Sequence, residues 1–282
     1  MQDVFSHSSI SAFENCPKKY AFRYIDKIPA DSESIEGFVG KRVHEVLERL
    51  YQFTDAGKLP SLARVLERYH ANWDACYDGE RVRIVREGTT LAHYRTMGER
   101  CIEGYYRSHY PFDAETTLGL ERPVRVSLDS EGRYRLRGFI DRLVRAPDGA
   151  LEIHDYKTSA RMPPRKILER DRQLALYEIA IRKEWQHSGE VRLVWLYLAP
   201  NRRYIARRTS EELDRVRSEV MALIDRIRTE AEWAPRETPL CRWCEYRDRC
   251  PLWNDASEIP PPARAHPLPA ASREDEYQLS LL

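Results

Sequence analysis

The stretch that most narrows the fold of this chain lies between residues 118 and 158. Three β-rich or alternating runs follow one another there: GLERPVRVSL, YRLRGFIDRLVR and ALEIHDYKT. Only Asp129-Ser130-Glu131-Gly132 and Pro147-Asp148-Gly149 separate them, and these are residues that turns require. The pattern predicts an antiparallel three-strand meander. Side chains two apart on a strand share a face, so Asp155 and Lys157 point the same way. The hairpin from 141 to 155 can also bring Asp141 beside Asp155. Two carboxylates and an ammonium meeting at strand ends suit a Mg²⁺ site for phosphodiester hydrolysis. Hard oxygen ligands hold such an ion, which polarises the phosphate and acidifies a water. Lys157 would orient or deprotonate that water, or stabilise charge on the pentavalent transition state. An Asp-x-Lys tripeptide taken alone reads first as an exposed ion pair.

Helical spacing dominates on either side of the meander. Residues 8–28 read as a short helix broken near Cys16-Pro17, followed by an aromatic-rich segment. Val39, Val43, Val46, Leu47 and Leu50 mark a helix over 38–53, with His44 among them. A lone His in that setting is usually structural, and Glu48 breaks the H-E-x-x-H pattern of a zinc protease. Arg-, Glu- and Tyr-rich helical stretches around 62–76 and 90–110 predict a helical insertion over residues 54–117. Beyond the meander the pattern gives a helix near 165–184 and strands at 191–199 and 203–208. The capping pattern Thr209-Ser210-Glu211-Glu212 then opens a helix that runs to residue 231. Gln173 and Tyr177 lie four apart, hence on one helix face. There an amide and a phenol can hydrogen-bond a phosphate or a base edge, although Tyr177 can equally pack with Leu174 and Ile181. Residues 254–282, rich in Pro, Ala, Ser and charge, read as disordered linker.

Composition removes several classes. A net charge of +1 excludes a globally basic nucleic-acid coat and an acidic tail protein. Eight of the 46 basic residues are Lys and the other 38 are Arg, a bias that still allows a local phosphate-binding groove. Arg202, Arg203, Arg207, Arg208, Arg242, Trp243, Arg247 and Arg249 mix cations with aromatics in a way that suits single strands. No apolar run approaches the roughly 18 residues of a membrane span. The opening MQDVFSHSSI lacks the basic and apolar segments of a signal peptide, so the chain reads as cytoplasmic.

Six cysteines in a reducing compartment point to metal rather than disulfides. Cys241-x₂-Cys244-x₅-Cys250 supplies three thiolates followed by Pro251. Cys16, also followed by proline, is the natural fourth. Zn²⁺ and a [4Fe–4S] cluster both take four thiolates, and spacing does not choose between them. Cys76 and Cys101 read as ordinary buried thiols.

In their order along the chain these pieces resemble the RecB-like branch of the PD-(D/E)XK nucleases. The similarity is to the iron–sulfur subgroup that includes AddB-type helicase-nucleases and CRISPR adaptation nucleases. It rests on the segment 9–20 with Phe13, Cys16-Pro17 and Lys19-Tyr20, on Gly40 to His44, Gly138-Phe139-Ile140-Asp141-Arg142, Asp155-Tyr156-Lys157-Thr158 and Gln173 to Tyr177, and on the terminal cysteines. Ile140 replaces the proline of the family's name, a frequent change in this branch. The resemblance implies an α/β restriction-endonuclease-like core over residues 1–253, with a mixed sheet and flanking helices. It implies that His44, Asp141, Asp155 and the Tyr156 carbonyl ligate Mg²⁺ or Mn²⁺, and that Lys157, Asp141 and Asp155 are catalytic. Gln173, Tyr177 and Arg142 would contact DNA, and Glu121 stands where such proteins often carry an acid. Among the two cluster types it favours [4Fe–4S] on Cys16, Cys241, Cys244 and Cys250, a staple joining the ends of the core.

The expected activity is a metal-dependent DNase, an exonuclease on single strands or DNA ends that serves repair or recombination. The alternative is a non-catalytic iron–sulfur DNA-binding subunit; a third reading is a zinc-stapled RNA-processing enzyme. No helicase motor is present, so any unwinding requires a partner helicase. The last residues, Gln278, Leu279, Ser280, Leu281 and Leu282, resemble the pentapeptide that docks bacterial repair proteins on the sliding clamp. Docking on the protein's own surface is the competing reading for that tail.

Overall fold

The computed structural model describes residues 3–255. The expected clamp peptide Gln278, Leu279, Leu281 and Leu282, and all but the first two residues of the expected linker, lie outside the described residues. Strand β1 (Val4–Phe5) leads into helix α1 (His7–Asn15), which Ser6 and Ser9 open with a reciprocal capping box. Cys16 is extended at φ −159°, and Pro17 starts the next turn, α2 (Pro17–Tyr20), at the position where a missing N–H costs nothing. The aromatic segment that follows is a π-helical turn over Ala21–Ile25. Strand β2 (Glu33–Ser34), helix α3 (Ile35–Asp55), α4 (Leu62–Cys76), strand β3 (Val82–Arg83) and α5 (Leu91–His109) come next.

The predicted meander is present as β4 (Thr116–Ser127), β5 (Arg135–Arg145) and β6 (Leu151–Lys157), paired antiparallel in sequence order. The helix expected over 165–184 is two helices, α6 (Arg165–Leu168) and α7 (Gln173–Trp185). The break has a local cause: the Asp171 carboxylate accepts the Gln173 backbone N–H at 2.8 Å and starts the second helix afresh. Strands β7 (Val191–Tyr197) and β8 (Arg202–Ala206) and helix α8 (Ser210–Thr229), opened by the Thr209–Glu212 capping box, complete the core. Two 3₁₀ turns, Pro239–Trp243 and Arg247–Arg249, carry the C-terminal cysteines.

The sheet runs β1-β5-β6-β7-β8, with β4 on the other side of β5. It is mixed: β6–β7 and β1–β5 are parallel and the other pairs antiparallel. Strand β6 is buried along its whole length, because helices cover both faces. One apolar layer joins α1, α7 and α8 to residues such as Ile153, Leu193 and Trp195. The opposite layer joins α3, α4 and α5 to Tyr156, Val194 and Leu196. Residues 54–117 thus contribute α4 and α5 to the second layer. Cys101 is buried there as expected, but Cys76, at the end of α4, is exposed. No helix of the described residues is long and apolar enough to cross a membrane.

The β5–β6 ladder stops at the Arg142–His154 pair, whereas β6 goes on pairing with β7 as far as Lys157 and Tyr197. The two strands therefore splay beyond His154. The candidate site residues Asp141, Asp155 and Lys157 lie at this fork.

Candidate active site at the strand fork

Where the ladder ends, a side chain replaces a backbone partner: the Asp141 Oδ2 accepts the Tyr156 backbone N–H at 2.6 Å. Asp141 is thereby fixed at the mouth of the fork. Across β4, Glu121 stands between the Leu120–Arg142 and Arg122–Ile140 pairs, opposite Asp141. Its φ of +43° is left-handed, a conformation an L residue adopts only under constraint from its surroundings. Two carboxylates facing each other across strands repel. His44 approaches both from α3, its Nδ1 3.5 Å from Asp141 and 3.9 Å from Glu121. The three residues offer ligand atoms all within 4.8 Å of one another.

The imidazole is set by a main-chain contact, His44 Nε2 to the Tyr156 carbonyl at 2.9 Å. Burial pushes its pKa down to about 3, against the pull of that carbonyl, so the ring is neutral and keeps a lone pair. The Tyr156 carbonyl, implied as a metal ligand, here holds His44. An octahedral ion with bonds of about 2.1 Å has neighbouring ligands about 3 Å apart. The 3.5 Å between His44 Nδ1 and Asp141 is near that spacing, while Nε2 gives its proton to the Tyr156 carbonyl.

Asp155 and Lys157 share the other side of the fork. Lys157 Nζ contacts Asp155 Oδ1 at 3.0 Å and Oδ2 at 2.8 Å, and donates to Gln173 Oε1 at 3.3 Å. Burial opposes the ammonium charge, but Asp155 and Asp171 outweigh it and hold Lys157 above its ordinary range. Burial pushes Asp141 well above the carboxylate range, and neighbouring Asp155 and Glu121 add to it. Asp155 is raised by burial as well, although Lys157 pulls the other way. Three desolvated carboxylates around a neutral imidazole form a site short of positive charge. Carboxylate, imidazole and carbonyl donors fit Mg²⁺ or Mn²⁺.

All three residues expected to contact DNA are buried, Gln173 with its amide between Lys157 and Tyr177. Arg142 points to the opposite face of β5, where it is 1% exposed, pairs with Glu115 at 2.8 Å and lies 3.6 Å over the Tyr51 ring. It is a core ion pair and cannot meet a phosphate. Tyr177 is also buried, with its ring against Gly138. Its hydroxyl accepts from Gln173 Nε2 at 3.4 Å, so it supports Gln173 rather than a nucleic acid. This contact explains the glycine: a Cβ at position 138 would lie 2.4 Å from a Tyr177 ring carbon and 2.8 Å from its hydroxyl. Gly138→Ala is expected to cost about 1–3 kcal/mol by overpacking. A urea titration checks this, and an unshifted midpoint would contradict the close approach.

One residue of the site escaped the sequence reading. Asp171 caps Gln173 and acts electrostatically on both Asp155 and Lys157. Its signal was the D-x-Q spacing at a helix start, hidden by the expectation of one continuous helix.

The four cysteines expected to act together, Cys16, Cys241, Cys244 and Cys250, line one cavity with Phe22, Trp243 and Tyr246. The backbone N–H of Arg236 points at Cys16 Sγ at 3.4 Å, and that of Thr238 at Cys241 Sγ at 3.3 Å. Burial pushes the Cys244 thiol up to about 12 and also raises Cys250. Thiolates here require a cation. Of the neighbouring basic residues, Arg249 is buried and paired with Asp31 at 3.1 Å, which removes it from the expected phosphate-binding patch.

Comparison with known proteins follows this geometry. The family model described as the PD-(D/E)XK nuclease superfamily matches residues 4–251. Among solved structures the chain is similar in fold to a protein from Eubacterium rectale provisionally named as an exonuclease. That match has a TM-score of 0.52 and 15% identity, and covers 86% of this chain and 88% of the other. A second similar structure, SSO0001, has a TM-score of 0.43 and 12% identity over 90% of this chain and 88% of that one. Comparison with the curated proteins gives no match.

Proposed function

Because the chain belongs to the PD-(D/E)XK nuclease superfamily, we propose that it is a Mg²⁺- or Mn²⁺-dependent deoxyribonuclease that digests single strands or DNA ends, with residues 1–253 as its nuclease domain. The observation that carries this reading is the meeting of His44, Glu121 and Asp141 at the fork, next to the Asp155–Lys157 pair. His44, Asp141 and Asp155 would hold the ion, with Glu121 and the Tyr156 carbonyl as further donors. The bound ion would supply Lewis acidity at the scissile phosphate and lower the pKa of the attacking water.

The chain's own residues do the rest. Asp141 is held by the Tyr156 N–H and His44 by the Tyr156 carbonyl, so one peptide group aligns two donors. An ammonium has three N–H groups, and Asp155 and Gln173 take two from Lys157. With substrate bound, the ammonium would turn an N–H to a phosphate oxygen, where positive charge stabilises the pentavalent transition state. Gln173, kept in line by Asp171 and Tyr177, sets the direction of that ammonium. Lys157→Ala is expected to lower cleavage by about 10²–10³-fold. The test is digestion of end-labelled single and double strands, blocked at either end, with Mg²⁺ and with EDTA. Activity that survives EDTA, or undiminished activity in the Lys157 variant, would remove this mechanism; an inert wild type that still binds DNA would favour the non-catalytic subunit.

We further read the four-cysteine cavity as a [4Fe–4S] site. Two backbone N–H groups aimed at sulfur are the contacts by which proteins stabilise cluster thiolates. Tetrahedral Zn²⁺ with bonds of about 2.3 Å would bring its sulfurs within about 4 Å of one another. Among the described residues, the groups with ligand atoms within 4.8 Å are His44-Glu121-Asp141 and Glu115-Glu152-His154, and the cysteines form no such group. A helicase that supplies unwound strands, a sliding clamp that takes Gln278 to Leu282, and a role in repair complete the proposal.

A further inference from the structure

The second close-set group, on the reverse of the sheet, has no part in the mechanism above. Glu152 and His154 alternate with Asp155 and Lys157 along β6 and face the α3–α5 layer, as Tyr156 does. Glu115 reaches them from the residue preceding β4, and ligand atoms of all three lie within 4.8 Å of one another. We propose that Glu115, Glu152 and His154 form a second divalent-cation site, of a kind that takes Zn²⁺, with His109 as a fourth donor.

The strongest sign is an unsatisfied nitrogen. His154 is 3% exposed; its Nε2 lies 2.9 Å from Glu152 Oε2, and its Nδ1 has no hydrogen-bond partner. With Nε2–H given to Glu152, the lone pair of neutral His154 is on Nδ1, and a cation bound by that atom would satisfy it. Glu152 is 5% exposed, so its charge is poorly met by water. Nor do the nearby guanidiniums serve this group alone. Arg192 pairs with Asp148 and Glu190 as well as with Glu152, and Arg207 also takes Glu190. Arg142 holds Glu115 and also acts on Asp55.

His109 has the arrangement of a supported ligand. Its Nδ1 meets the Tyr105 carbonyl at 2.9 Å and its ring stacks on Tyr105 at 3.9 Å, which orients Nε2. Both Glu115 and His154 act on it electrostatically. Two imidazoles and two carboxylates suit Zn²⁺ better than Mg²⁺. A cation there would join α5, the start of β4 and the middle of β6, behind the fork. The proposal does not depend on the nuclease reading.

Crystals of the full chain soaked in ZnCl₂ and measured at the zinc edge test it, together with Zn²⁺ stoichiometry from equilibrium dialysis of wild type, Glu115→Gln and Asp141→Asn. The thiolate cavity is common to all three proteins and cancels. An anomalous peak between Glu115, Glu152 and His154 is expected, kept in Asp141→Asn. The Glu115 variant should bind one equivalent fewer, or bind it at least about tenfold more weakly. Equal zinc binding in wild type and Glu115→Gln, or a wild-type crystal with no peak at His154, would overturn the proposal. Should Glu115→Gln fail to fold, the wild-type soak decides by itself.

Discussion

Replacing Asp141 with asparagine is expected to lower metal-dependent cleavage by about 10²–10³-fold, and to leave the metal-free protein as stable as wild type or more so. The two effects share one cause. Asp141 is largely enclosed opposite Glu121 and near Asp155, and its carboxyl is pushed well above the ordinary range by desolvation first and those neighbours second. A carboxyl whose folded pKa is raised stabilises the fold most below its unfolded pKa, and that contribution is lost as the pH rises through the folded value. Without metal, the wild type is therefore handicapped at neutral pH. Asparagine keeps an oxygen for the Tyr156 N–H but carries no charge. The melting temperature of the variant should accordingly gain on wild type as pH rises from the ordinary carboxylate range towards neutrality. Excess Mg²⁺ should reverse the order, since a ligand stabilises only the state that binds it. Calorimetry with and without Mg²⁺, beside a cleavage assay, checks both halves. Wild-type cleavage in the variant, or a large loss of metal-free stability, would separate Asp141 from the ion.

Cys16→Ser is expected to remove the visible absorbance of anaerobically purified protein and to destabilise the fold by about 5 kcal/mol. That magnitude is the chain entropy of closing a loop of more than two hundred residues, treated as a covalent clip. The local surroundings point the same way. Glu245, next to Cys244, pairs with Lys19 at 2.8 Å and Arg23 at 3.0 Å, which binds the cysteine loop to the N-terminal turns. Tyr246 donates to the Ile28 carbonyl at 2.9 Å, a second tie between the same segments. These contacts orient the two ends, and burial keeps Cys244 and Cys250 as thiols unless a cation is bound. Denaturant unfolding and iron analysis measure the two effects. A colourless wild type with zinc bound would replace iron–sulfur by a zinc staple, and an unchanged stability in Cys16→Ser would remove the staple altogether.

Much of the core could be read from residue pattern alone. The alternation in β5 and β6 and the turn residues Asp129 to Gly132 and Pro147 to Gly149 marked the meander and the shared face of Asp155 and Lys157. The capping box at Thr209 located α8. The same reasoning misplaced Arg142 and left Tyr177 open between DNA and the core, because a motif position tells which residue is present and not which face it takes. Arg142 sits next to Asp141 in sequence and on the other face of its strand. Tyr177 shares a helix face with Gln173, yet the lack of a side chain at Gly138 draws its ring into the core. The split between α6 and α7 was missed because one Asx contact, from Asp171, outweighed a continuous helical pattern.

Periodicity, turn chemistry and spacing are local properties, and by themselves they determined the order of elements, the acidic hairpin with its lysine, and the set of four cysteines. The splay of β5 from β6 was decided only in three dimensions, since it depends on β6 staying paired to β7 while Asp141 takes over the Tyr156 N–H. That long-range competition for one backbone donor converts a run of acidic residues into a desolvated fork, and desolvation gives the site its demand for a cation.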